Sequence, residues 1–400
     1  MTTRVIGLLL AALFGIAGGS VAVLALGESP SSFVPEATDA RPPPRVVEVP
    51  DPARASSRLL LVWASSPGLP PQTEHVLEKT PGVRGATTVE AGLDWLISTS
   101  TASGNYVREA AAGLAVPVET AVVDPVEYAR FVPPADRDPI VSLGVGEAIM
   151  SATAERLRGP DDVSLLRMRD RRLAVTGTIS NVAASGYEIV VGGVPPASWE
   201  RVDRFVLLQL SPRTSRRRIE RRIESLLSDG QGLRIRAKGE TPYLRHGDAV
   251  LSQMLLKETF GEFAARPQPD GTLLIDPVWR RHNIREIEVP IVGTVTCHRT
   301  LATQLRAALQ EVARAGLAHL INVPQFGGCY SPRFINRDPE GRLSHHSWGI
   351  AVDLNARDNA YGTRPDQDPR LVKIMEEHGF TWGGRWLIPD GMHFEWVRFP

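Results

Sequence analysis

The sequence predicts an α+β protein behind an N-terminal transmembrane or signal segment. Three observations lead there. The run from Val5 to Gly27 carries no charge; short β-like runs alternate with amphipathic helical stretches over residues 57–240; and near the C-terminus aliphatic residues alternate with polar ones. The 400 residues are 42% apolar, enough to bury cores in two or three domains without covalent help. Forty-five basic side chains balance 45 acidic ones, so the chain lacks the basic footprint of a dedicated nucleic-acid binder, and no nucleic-acid partner is expected. Two cysteines cannot build a four-thiolate zinc site, which leaves His and carboxylate to hold any metal.

Taken in order, residues 1–27 have the length of a membrane span, since about 20 apolar residues at 1.5 Å each cross the hydrocarbon core. Ala25-Leu26-Gly27 also has the small-x-small form accepted by signal peptidase, so a retained anchor and a cleaved signal both stay open. In either case Arg4 stays inside and the rest is exported, as a single-pass membrane protein or one secreted to the wall. Residues 28–56 hold seven prolines and read as a spacer, extended where polyproline-like.

Residues 57–240 are expected to form an α+β domain. Leu59 to Trp63, Arg172 to Thr178, Tyr187 to Val191, Arg204 to Leu210 and Leu233 to Arg236 read as strands. Pro71 opens a helical stretch to Lys79, and Ser211 with Pro212 reads as the start of a helix whose apolar face is Ile219, Ile223, Leu226 and Leu227. That helix also carries six arginines, read either as a solvated face with interleaved Glu220 and Glu224 or as an attraction to an anionic polymer or lipid headgroup. No catalytic constellation is visible before residue 241. A positioning or regulatory role, with a protein partner, is the expectation for this domain.

The chemistry lies in Ser344-His345-His346-Ser347-Trp348-Gly349-Ile350-Ala351-Val352-Asp353 and Asp390-Gly391-Met392-His393-Phe394-Glu395-Trp396. Ile350, Val352 and Leu354 share one strand face and Asp353 the other, while Gly349 lets the chain turn so that His346 converges with Asp353. His393 and Glu395 share a face of the last strand. Two imidazoles and one carboxylate suit a catalytic zinc ion that keeps one coordination position open. Asp390, in the Pro389-Asp390-Gly391 turn, can move protons beside such a site, or be a plain turn aspartate. His345 is expected to point away from it. His75, His282, His319 and His378 read as ordinary residues, and His298 could flank the substrate. Both cysteines fall in this exported region, which favours a Cys297–Cys329 disulfide over two free thiols.

Ser-x-His-x-x-Gly-x-Ala-x-Asp followed by Asp-x-x-His-Phe-Glu resembles the M15 zinc peptidases of peptidoglycan: D-alanyl-D-alanine carboxypeptidases and L-alanyl-D-glutamate endopeptidases. The likeness covers roughly residues 241–400 and implies an α+β zinc peptidase domain with a small antiparallel sheet. It makes His346, Asp353 and His393 the Zn2+ ligands and Asp390 the general acid/base, the Asp spelling being similar to the endopeptidase branch. Gly327 to Arg333 also resembles the family, so Arg333 is the expected oxyanion stabiliser, with Arg337 as runner-up. Ser344 and Glu395 are expected to hydrogen-bond around the ligands, and Tyr330 and Trp348 to line the cleft. Peptidoglycan peptides are the implied substrate. The competing reading is a non-catalytic zinc-containing module that binds cell wall or a partner.

Overall fold

The computed structural model describes residues 56–159, 163–227 and 232–399. The expected anchor (residues 1–27) and the spacer up to residue 55 lie outside the described residues. Among the described residues no helix is long and apolar enough to cross a membrane.

The strands, in chain order, are β1 (Ser56–Ala64), β2 (Val83–Ser100), β3 (Tyr106–Glu109), β4 (Val116–Val123), β5 (Glu147–Ser151), β6 (Leu165–Met168), β7 (Arg172–Ile179), β8 (Ile189–Gly192), β9 (Asp203–Leu210) and β10 (Leu233–Lys238). They form one mixed ten-stranded sheet in the order β10-β1-β9-β2-β4-β8-β5-β7-β6, with β3 beside β2 and β6 returning to pair with β2. That last pairing closes β2, β4, β8, β5, β7 and β6 into a six-stranded barrel. The α+β expectation is therefore corrected: the middle of the chain is mostly β, built on a closed barrel with short helices between its strands.

The physical reason for the error is the two-sided burial of the barrel strands. In β4, Val116, Val118 and Val122 join one core and Ala121 and Val123 another; in β5, Ala148 and Met150 face one and Ile149 the other. Such strands show no polar alternation to read. β2 was hidden differently, by Glu90, Gly92 and Asp94. Asp94 is buried, accepting from Thr120 Oγ1 at 2.8 Å, Trp199 Nε1 at 3.0 Å and Arg171 Nη2 at 2.6 Å, and a Cβ at Gly92 would sit 2.5 Å from the Trp199 ring.

Between β9 and β10 the helix spans Arg216–Leu227, starting later than Ser211-Pro212, which form a turn instead. It buries Ile219, Ile223 and Leu227 against Leu60, Val62 and Leu208.

Beyond residue 240 come the helices Gln253–Phe260, Pro277–Asn283, Leu301–Arg314 and Pro369–Glu377, and seven short strands: β11 (Ala265–Pro267), β12 (Leu273–Ile275), β13 (Ile284–Val289), β14 (Gly293–His298), β15 (Ala351–Asp353), β16 (Phe380–Trp382) and β17 (His393–Trp396). β11 pairs with β12, β13 with β14, and β15-β17-β16 form an antiparallel ladder. These elements pack on one core that includes Trp279, Leu305, Trp348 and Phe394.

Buried charge joins this core to the barrel. Lys257 Nζ lies 2.8 Å from Glu188 Oε1 and 3.1 Å from Glu262 Oε1, while Arg158 meets Glu188 and Glu262 at 2.5 Å each. Arg245 pairs with Glu119 of β4 at 2.5 Å. All six side chains are buried. Burial alone would raise the Glu188 carboxyl, but Lys257 and Arg158 hold it below its ordinary range. Removing one charge from such a set strands its partner in low dielectric, so Lys257→Met is expected to cost about 3–5 kcal/mol. Urea unfolding of the full chain measures it; a loss under about 1 kcal/mol would show that Arg158 alone balances the two glutamates.

Candidate active site

The site is set by strand register. β15 and β17 pair antiparallel with Asp353 opposite His393, so a carboxylate and an imidazole are cross-strand neighbours. His346 arrives from the turn His345–Ser347 just ahead of β15. Gly349, at φ +69°, redirects the chain into the strand, and a Cβ there would come within 2.8 Å of the His298 backbone nitrogen.

Three donor atoms then converge. His346 Nε2, His393 Nδ1 and Asp353 Oδ1 lie 3.0–3.1 Å from one another, and together these residues form a buried group able to hold a metal ion. A tetrahedron with bonds of about 2.0–2.1 Å has an edge of about 3.3 Å, so the donor spacing fits such an ion. The opposite ring nitrogens are tied elsewhere. His346 Nδ1 bonds the Cys329 carbonyl at 2.7 Å and His393 Nε2 bonds Glu395 Oε1 at 3.2 Å, which turns His346 Nε2 and His393 Nδ1 toward each other and toward Asp353. Asp353 Oδ2 lies 3.4 Å from Arg333 Nη2.

The electrostatics favour positive charge at this cluster. Burial would depress His393, yet its hydrogen bonds to Asp353 and Glu395 outweigh burial and lift it to about 10. Asp353 and Glu395 are held below the usual carboxylate range in spite of burial: His346 and His393 stabilise the former, His345 and His393 the latter. Arg333 beside Asp353 supplies one balancing positive charge, and a proton on His393 or a bound metal can supply another. Asp390 behaves oppositely. Burial, reinforced by Asp353 and Glu395, pushes it up to about 6, and its Oδ1 is buried without a hydrogen-bond partner.

A cleft of about 770 Å³ opens over this cluster. Arg333, Arg337, Ser344, His346, Asp390, His393 and Glu395 border it, with Asp353 beneath. Ser344 Oγ accepts from the His346 backbone N–H at 3.4 Å, capping the turn that carries His346. Cys297 and Cys329 are disulfide-bonded. Other expectations fall away. His345 turns inward, its Nδ1 2.9 Å from Glu395 Oε1. Trp348 is buried beside Phe263 and donates to the Gly261 carbonyl, so it belongs to the core rather than the cleft, as does His298 between Phe260 and Trp279. Tyr330 also packs against that core.

The sequence reading missed two features. Ser347 Oγ accepts from Arg333 N and donates to Arg333 O, both at 3.1 Å, locking the arginine's backbone to the histidine turn; its signal was a second serine inside the first motif. The opposite wall of the cleft comes from the part of the chain that carries the ten-stranded sheet, the β unit, through Trp63, Leu69, Arg201, Asp203 and Arg204, with His246 beside them. No local pattern marks those residues, because only β1 and β9 lying side by side bring them to the cleft.

Residues 337–396 match the family model of D-alanyl-D-alanine carboxypeptidase, the M15 type of peptidase, which supports a peptidase-like segment over that stretch. No curated protein matches the chain. Among solved structures, the periplasmic region of MacB from Actinobacillus actinomycetemcomitans is 9% identical, covering 46% of this chain and 90% of its own at a TM-score of 0.32. The extracellular domain of the ABC-type transporter YknZ from Gram-positive bacteria is 10% identical, covering 45% and 98% at 0.31. Likenesses this low carry no argument about this chain.

His246 supplies a test of the cleft wall. Its ring lies 4.6 Å from Trp63, and burial depresses it to about 4 against the pull of Asp203. The unfolded chain takes up that proton near pH 6.5, whereas the folded chain refuses it until about 4. This contribution to stability is therefore complete above pH 6.5 and is lost as the pH falls from there toward 4. Between pH 7 and 5 the urea midpoint of the wild type should drop further than that of His246→Gln; equal drops would exclude His246 as the source.

Proposed function

We propose that this protein is an exported zinc peptidase that cuts amide bonds in the stem peptides of peptidoglycan. The observation that carries the reading is the convergence of His346, Asp353 and His393 at the floor of a cleft, with Asp390 half-buried beside them. The family match over residues 337–396 supports the same class.

His346, Asp353 and His393 would hold the ion. When bound, zinc polarises a carbonyl and brings water within reach of deprotonation near neutral pH. The chain supplies the rest. The Asp390 carboxylate accepts the proton of the attacking water and returns it to the departing amine, and its unpartnered Oδ1 is available for that exchange. Arg333 sets a fixed positive charge where the carbonyl oxygen gains negative charge, its position held through Ser347. Glu395 orients His393, and the Cys329 carbonyl orients His346.

The test uses the detergent-solubilised full chain with defined muropeptides, with and without a chelator, read by mass spectrometry. Loss of a terminal D-Ala marks a carboxypeptidase; a cut after L-Ala marks an endopeptidase. Asp390→Asn should retain zinc while kcat falls at least 100-fold, the scale of one lost general acid/base, and His346→Ala should lose both zinc and activity. A wild type that yields no chelator-sensitive product would overturn the peptidase reading.

A further inference from the structure

The ligand His346 follows an excursion of the chain that leaves at Arg333 and returns at Ser344, where Ser344 N donates to Arg333 O at 3.0 Å and Ile335 N to Arg342 O at 2.8 Å. Phe334 and Leu343 pair across it. One loop thus carries an arginine at its exit and a metal ligand two residues beyond its return. The β unit grips this loop at two points. Asp203, the first residue of β9, receives Arg342 Nε at 3.1 Å, and Arg201 Nη1 meets Asp338 Oδ2 at 2.7 Å near the tip. Arg342 also donates through Nη1 to the His246 carbonyl at 3.0 Å, filling the space a side chain at Gly247 would need.

The two grips differ in quality. Arg201 is half exposed, so its pair with Asp338 is screened and weak. The side chain of Asp203 is only 12% exposed and that of Arg342 26%, so their pair is shielded from solvent. Asp203 is also held on a strand flanked by β1 and β2, a rigid base on which to set a loop.

We infer that Asp203 of the β unit is a positioning residue for the peptidase site, acting through Arg342 to hold residues 333–346 in place. The inference rests on the proposed function for its kinetic consequence, but the loop itself can be observed without any activity. The β unit then contributes twice to the site, as one wall of the cleft and as the clamp that fixes the other.

The experiment compares the wild-type full chain with Asp203→Asn, Arg342→Gln, the double variant and Asp203→Glu. In Asp203→Asn, amide hydrogen exchange within residues 333–346 should rise about tenfold while exchange in β13 and β14 stays at the wild-type rate. Against a muropeptide the wild type cleaves, kcat should fall about tenfold with KM within twofold. Asp203→Glu should recover most of the loss, and the double variant should be no worse than either single one, the mark of a shared pathway. Unchanged exchange in the loop overturns the inference, as does accelerated exchange throughout the molecule, which would make Asp203 a general stabiliser. A wild type without hydrolytic activity would sink the peptidase reading and leave the exchange comparison to decide this one.

Discussion

Six buried charges hold the molecule together as one object. Arg158, Glu119 and Glu188 belong to the barrel, Arg245, Lys257 and Glu262 to the chain that follows it, and neither group is neutral without the other. Charges taken this far from water are tolerated only when their partners are fixed. The join between barrel and C-terminal core is therefore specified, where an apolar seam of equal size could slide. The cleft depends on that, because its two walls come from opposite sides of the join.

Within the C-terminal part the same economy recurs at smaller scale. One cross-strand pair puts Asp353 against His393, one glycine turns His346 toward them, and backbone or carboxylate acceptors choose which nitrogen of each ring stays free. The three side chains sit in their converged arrangement through contacts the chain makes with itself, which would lower the cost of gathering them around an ion. Asp390 lies in a turn beside the ladder, its position fixed by backbone bonds to Gly383 and His393 while its carboxylate keeps an unpaired oxygen.

How much of this was legible in the sequence follows from the range of each interaction. The converging residues lie in two short motifs whose spacing implies a strand and a turn, so His346, Asp353 and His393 could be brought together from local pattern, whereas Asp390, in a Pro-Asp-Gly turn, is singled out only by the family resemblance. The barrel could not. Its strands are buried on both faces, and closure depends on β6 meeting β2 some 70 residues away in the chain, at Leu96 and Met168 among others. Asp203 and Arg342 are likewise far apart in sequence, and each alone reads as an ordinary surface charge. Trp348 shows the opposite error: its place in a motif suggested the cleft, whereas its indole is needed to fill the core beneath.

Barrel closure also decides where the sheet can be extended by another chain. With β6 returned to β2, the open edges left among the described residues are β10 and the four-residue β3. β10 reads Leu-Arg-Ile-Arg-Ala-Lys, so every second residue along it is basic, and Arg234 and Arg236 are engaged with Asp248. Arg236 is buried and also donates through Nη1 to the Gly247 carbonyl at 3.0 Å, so these side chains tie residues 247 and 248 to the edge strand. Among the described residues a further strand could join this sheet only along β10, six residues long, or β3, four residues long, because closure has taken up both sides of β6.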